Sequence, residues 1–268
     1  MKAAAIQMVS GVSVDTNLQA AGRLLGEAAR AGCELAVLPE YFCLMGRADS
    51  DKLQVRETFG GGKIQDFLAG AAREHGMWIA GGTLPLTAGD DAHVRNTLLV
   101  YSPQGECKAR YDKVHLFKFD NGRDRFDESR VIEPGNAAAF VEIDSRDGNR
   151  WRVGLSVCYD LRFPELYRAL AADLLLVPSA FTYVTGQAHW ELLLCARAVE
   201  NLAYVLAPAQ GGVHENGRRT WGHSMTVDPW GKVLASQEEG EGVVVAVLEK
   251  ERLAQVRSQL PALDHRVL

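Results

Sequence analysis

Cys158 closes the apolar run at residues 151–157, and Pro164 opens a helix shortly after it. Proline suits a first helical turn, where its missing N–H leaves no bond unmade. A thiol at such a junction lies near backbone N–H groups and the positive end of a helix dipole, and both favour a thiolate. Glu40 directly follows the strand-like run ELAVLP, and Lys113 directly follows the strand predicted over residues 107–112. Carboxyl ends of strands are where α/β sheets assemble sites. A nucleophile, a base and a cation from such positions suit attack on a carbonyl carbon: the base takes the thiol proton and the cation steadies the oxyanion. The other four cysteines, Cys33, Cys43, Cys107 and Cys195, read as small buried hydrophobes.

The elements that must position these residues follow from apolar periodicity. Residues 3–8 read as a strand, 17–31 as an amphipathic helix, and 34–39 as a buried strand, which makes a βαβ unit. A second helix over 64–74, the run MWIAGG, and two strands at 97–101 and 107–112 joined by SPQGE complete a half. The rest of the chain echoes it. ADLLLVPSAF at 172–181 parallels CELAVLPEYF at 33–42, and VDPWGKV at 227–233 parallels VYSPQGE at 100–106. Trp78 and Tyr204 are 126 residues apart, as are Gly105 and Gly231, while Pro39 and Pro178 are separated by 139, so one deletion in the second copy accounts for the drift. Two βαβαββ halves are expected. Each alone leaves a sheet face uncovered, so the sheets should pack together with helices outside, a four-layer α-β-β-α sandwich forming one α/β domain over residues 1–268.

Composition narrows the function. With 268 residues, 47% of them hydrophobic, the chain can bury a large core. A net charge of -5 argues against a nucleic-acid partner, and no apolar run approaches the roughly 18 residues of a membrane span. Lys2 is followed by only four apolar residues, fewer than the roughly 7 to 15 of a secretory signal core, and five irregularly spaced cysteines fit neither a disulfide framework nor a zinc site. A cytoplasmic protein acting on a small molecule is expected. No phosphate loop, H-E-x-x-H or strand-linked G-x-G-x-x-G occurs, so neither a metal nor an organic cofactor is implied.

ELAVLPEYF around Glu40, RYDKVHLF around Lys113 and VCYDLRFPELYR around Cys158 resemble, in order and spacing, the Glu, Lys and Cys motifs of the nitrilase, or carbon-nitrogen hydrolase, superfamily. The resemblance runs on through PSAFTYVTGQAHWELLLCARAVEN and WGHSMTVDPWGKV, and is greatest to the Nit branch. It implies the same sandwich and a homodimer or larger homo-oligomer, with residues 258–268 as a tail touching the partner. It also implies hydrolysis of an amide through a cysteine thioester, with release of ammonia. Glu40 would be the base, Lys113 and the backbone N–H of Tyr159 the oxyanion donors, and Glu128 in FDESRVIEPG a supporting second glutamate.

The substrate is expected to be an amide bearing a carboxylate. Arg162, Arg218, Arg219 and the loop residues Lys118, Arg123, Arg125 and Arg130 are candidate partners for that carboxylate, with solvated surface charge as the alternative for each. Phe42, Phe181, Thr182 and Trp190 are candidate pocket residues, with core packing as the alternative for the aromatics. His189 and His223 raise a Cys-His dyad as a competing mechanism, and a catalytically silent dimeric scaffold is the competing class.

Overall fold

Backbone hydrogen bonding divides most of the strands between two sheets that repeat one another. In the computed structural model, which describes residues 1–122 and 125–267, the first half runs β1 (Lys2–Gln7), α1 (Val14–Arg30), β2 (Leu35–Val37), α2 (Asp51–Gln54), α3 (Lys63–His75), β3 (Trp78–Ala80), β4 (Leu84–Thr87), β5 (Val94–Tyr101) and β6 (Cys107–Asp112). A short ribbon, β7 (Lys118–Asp120) with β8 (Arg125–Asp127), leads to β9 (Ala139–Asp144). The second half continues as β10 (Arg150–Leu155), α4 (Pro164–Leu170), β11 (Leu174–Leu176), α5 (Tyr183–Asn201), β12 (Tyr204–Ala207), β13 (Gly211–Val213), β14 (Arg219–Trp221), β15 (Ser224–Val227) and β16 (Val233–Gln237). β17 (Gly242–Val247) and α6 (Lys250–Gln259) follow.

In the first sheet β1, β2 and β3 are parallel, then β5 and β6 continue antiparallel. β10, β11, β12, β15 and β16 repeat that sequence in the second. Even the irregularities correspond. The register slips at Val100/Tyr101 in one sheet and at Thr226/Val227 in the other, which is the offset separating Trp78 from Tyr204. Each sheet carries one more antiparallel strand beside its first, β17 on β1 and β9 on β10.

Side chains alternate across each strand, so one strand feeds two layers. Ala3, Ala5, Leu35, Val37, Leu98 and Val100 share a core with Val153, Leu155, Leu174 and Leu176 of the second sheet. Their neighbours Ala4, Ile6, Ala36, Ile79 and Leu99 pack instead with Leu24, Leu25 and Leu68 of α1 and α3. Trp190, Leu194 and Ala198 of α5 cover the far side. The expected four layers are present. Helix α1 begins three residues before the periodicity predicts, because Ser13 caps it and accepts a hydrogen bond from Thr16 N. Among the described residues no helix is long and apolar enough to cross a membrane.

Candidate active site

Glu40 follows β2, Lys113 follows β6 and Cys158 follows β10, and the fold brings all three to one place. Lys113 Nζ donates to Glu40 Oε1 at 2.8 Å and lies 3.0 and 2.9 Å from the two oxygens of Glu128. Its side chain is fully shielded, and the ammonium is bound between two carboxylates. The rest of each carboxylate is also occupied. Asn96 Nδ2 donates to Glu40 Oε1 at 3.0 Å, and the backbone N–H of Ala180 donates to Glu40 Oε2 at 3.0 Å. Tyr41 Oη donates to Glu128 Oε1 at 2.7 Å, and Phe117 N–H donates to Glu128 Oε2 at 2.7 Å. Gly82 lets the neighbouring loop approach: a Cβ there would stand 2.1 Å from the Pro39 carbonyl oxygen, and Thr83 Oγ1 next to it accepts the Tyr41 N–H.

Cys158 has φ +50°, in the left-handed region that costs a non-glycine residue roughly 1–3 kcal/mol. Three bonds hold it there: Ser156 N–H to Leu176 O, Cys158 N–H to Pro178 O at 3.0 Å, and Val157 N–H to Asp160 Oδ2 at 2.8 Å. The first residues after β10 thus turn sharply and present the sulfur toward Glu40.

Charge follows from this packing. Burial alone would weaken the Lys113 ammonium, but the Glu128 and Glu40 carboxylates outweigh it and hold its pKa above the ordinary lysine range. Burial alone would likewise raise Glu128, and Lys113 with the Phe117 N–H outweighs it in the other direction. For Cys158, burial comes first and Glu40 second, and together they push the thiol well above its ordinary value near 9 despite the pull of Lys113. The thiolate expected from the helix dipole is therefore corrected to a resting thiol. A local dipole is weaker than full desolvation beside a carboxylate.

A pocket opens on this cluster, lined among others by Glu40, Glu128, Cys158, Tyr159, Arg162, Phe181, Thr182 and Arg218. Other candidates lie elsewhere. Phe42 is fully buried in the core between the first sheet and its helices, because it faces α1 rather than the cavity. Arg219 is exposed, pairs with Glu239 at 2.8 Å and covers the Tyr183 ring. Trp190 is core, packed on Phe181 at 4.9 Å and donating to His223 O. Lys118 pairs with Asp127 at 3.2 Å and Arg125 with Asp120 at 3.7 Å, so the β7–β8 ribbon neutralises itself, while Arg130 is exposed. Arg123 lies outside the described residues. His189 meets Arg162 at 3.3 Å and His223 Nδ1 bonds Trp221 O; neither lines the pocket, so no Cys-His dyad forms.

A shielded glutamate, lysine and cysteine meeting at strand ends of an α-β-β-α sandwich define a hydrolase of carbon-nitrogen bonds. The chain belongs to the carbon-nitrogen hydrolase family, whose model matches residues 2–258. It is 43% identical over 270 aligned residues to a protein of Synechocystis sp. named deaminated glutathione amidase, covering 99% of this chain and 97% of that one. The crystal structure of the Caenorhabditis elegans NitFhit protein superposes with a TM-score of 0.90 at 37% identity, over 99% of this chain but 65% of that longer one. Saccharomyces cerevisiae Nit3, a member of the nitrilase superfamily, superposes with a TM-score of 0.87 at 29% identity, over 100% of this chain and 97% of that one.

Proposed function

We propose that the protein hydrolyses deaminated glutathione, with Cys158 as nucleophile. The bridging of Glu40 and Glu128 by Lys113, beside the sulfur, is the observation that carries the mechanism. As Sγ attacks the amide carbonyl, its proton passes to Glu40, which accords with a thiol rather than a thiolate at rest. Negative charge gathers on the carbonyl oxygen, where the remaining N–H of Lys113 and the backbone N–H of Tyr159 receive it. Glu128 holds the ammonium in place. The C–N bond breaks as Glu40 returns the proton to nitrogen, and the amine leaves. Water, deprotonated by Glu40, then cleaves the thioester to a carboxylic acid and restores the thiol. Ammonia is the leaving group only for a primary amide; the amide nitrogens of glutathione carry carbon on both sides, so a dipeptide leaves instead.

Phe181, Tyr159 and Phe117 supply an apolar wall, with Thr182 and Arg162 as polar contacts for the substrate. Comparing kcat/KM for deaminated glutathione, α-ketoglutaramate and a neutral amide or nitrile of similar length tests this reading. Deaminated glutathione should be preferred. A preference for α-ketoglutaramate makes the protein an omega-amidase, a preference for the neutral compound leaves only the superfamily chemistry, and binding without turnover makes it a scaffold.

The same reading takes the protein as a single-domain cytoplasmic enzyme that works as a homodimer. On α5, Trp190, Leu194 and Ala198 are buried in the core, yet Val184, Leu192 and Val199 are exposed, and Gly231, next to the exposed Trp230, lies against Val199. Apolar side chains left exposed on a helix beyond its core stripe suit burial against a partner. On this reading residues 258–268, which take in the end of α6 and whose last residue lies outside the described residues, contact the partner.

A further inference from the structure

Among the described residues, no carboxylate forms a salt bridge with the half-buried Arg218. Among the same residues, Arg95 pairs with Glu133, Arg197 with Glu200 at 2.8 Å, Arg252 with Asp228 at 3.4 Å and Arg257 with Asp173 at 2.8 Å, whereas Arg162 and Arg168, half-buried like Arg218, form no salt bridge but meet the His189 ring and the Glu200 carbonyl. The Arg218 guanidinium instead makes weak contacts. Nη2 donates to Ala180 O at 3.3 Å, Nη1 stands 3.9 Å from the Met45 sulfur, the Phe126 ring lies 5.4 Å away, and the buried Nε has no hydrogen-bond partner. A buried donor left unmet is unfavourable, and a guanidinium finds its strongest partner in a carboxylate that meets two of its N–H groups at once.

The position is built. Arg218 N–H donates to Asn216 Oδ1 at 2.9 Å, Asn216 Nδ2 donates to Gly46 O at 2.6 Å, and His214 anchors the same turn by donating from Nδ1 to Ser10 O at 2.9 Å. Ala180 links this cation to the base: its carbonyl accepts from Arg218 and its N–H donates to Glu40 Oε2. Charge around the pocket points the same way. Lys113 offsets one of the two carboxylates Glu40 and Glu128, Arg162 offsets the other without a salt bridge of its own, and Arg218 leaves a net positive charge.

We propose that Arg218 takes a carboxylate of the substrate and sets the enzyme's preference for anionic over neutral amides. The proposal rests on reading the pocket as an amide-hydrolase site. Glutathione that has lost its amine keeps two carboxylates, so the experiment compares deaminated glutathione with two analogues, each having one carboxylate replaced by a methyl ketone. Wild-type enzyme should lose kcat/KM on at least one analogue. Arg218→Gln should lose about 30-fold or more on the parent compound while changing the affected analogue about threefold at most, because truncating one member of a shielded charge pair costs that much. Arg218→Lys should recover part of the loss, and Arg219→Gln, on the exposed neighbour, should change neither. Should folded Arg218→Gln keep the wild-type ratio for both analogues, or should wild type not distinguish parent from analogues, the inference is overturned while the amidase reading stands. Absence of hydrolysis of all three compounds by wild type would remove both.

Discussion

Asp160 accepts hydrogen bonds from the backbone N–H of His115 at 3.0 Å and from its ring Nδ1 at 2.7 Å, which ties the loop carrying Cys158 to the loop carrying Lys113. The same fully buried carboxylate accepts from Val157 N–H at 2.8 Å and Tyr111 Oη at 2.7 Å. Asp160→Ala leaves two backbone donors buried and unmet, at about 1–3 kcal/mol each, so unfolding free energy should fall by about 3 kcal/mol. Relaxation of the Cys158 turn should also lower kcat by more than KM rises. Urea denaturation and steady-state kinetics read the two effects; a variant with unchanged stability would show that the carboxylate is replaceable by water.

Cys158 should hold its proton through neutral pH, since burial and Glu40 push the thiol well above its ordinary value near 9. The difference in ultraviolet thiolate absorbance between wild type and Cys158→Ala isolates this residue, and it should stay near zero until the pH is clearly alkaline. Glu40→Gln removes a negative neighbour while Lys113 stays, so the thiol pKa should move down, even as turnover is lost with the base. Cys158→Ala itself should fold normally and form no thioester. A thiolate signal in wild type at about pH 7 would contradict the resting state argued above.

His214 is buried and held neutral, with Nδ1–H donating to Ser10 O and Nε2 accepting from Thr220 Oγ1 at 2.7 Å; desolvation lowers its pKa below the ordinary value of 6.5. A histidine with a lowered folded pKa contributes stability that is present above its unfolded value and lost as pH falls through the folded one. Stability should therefore decline as pH drops below 6.5. His214→Asn should flatten that part of the profile. Chemical denaturation of both proteins across the acid range checks it; identical slopes would assign the decline to other groups.

Leu192, 68% exposed on the outer face of α5, should matter to assembly and not to folding. Leu192→Asp places a charge where the proposed dimer would bury an apolar side chain, and should shift sedimentation from dimer to monomer with little change in melting temperature. Wild-type protein that sediments as a monomer would remove the interface.

Much of this site was legible before any coordinates because its parts carry local signals. Glu40 and Cys158 each end an apolar run, Lys113 directly follows the second strand of a hairpin marked by its SPQGE turn, and such local patterns mark strand ends wherever the rest of the chain lies. The duplication was legible too, since Trp78 and Tyr204 share a 126-residue offset with Gly105 and Gly231, and the register slips at Val100/Tyr101 and Thr226/Val227 keep that offset in the fold. Asn96 lies between Arg95 and Thr97 in the polar first half of β5, and nothing local says that its amide meets Glu40. Ala180 left no signal, because it acts through a backbone N–H that every residue but proline carries.

What the sequence determined by itself was the class of chemistry, the strands that carry it and the two-sheet architecture, all written in residue type and period. Protonation and selection among like residues were decided by tertiary structure. A helix dipole at Cys158 reflects only neighbouring residues, whereas the thiol's environment is made by burial and by a glutamate 118 positions away. Arg218 and Arg219 are adjacent and chemically identical, yet one reaches the pocket and the other pairs with Glu239 on the surface. The direction of β14 relative to the cavity separates them, and that direction is set by contacts between segments far apart in the chain.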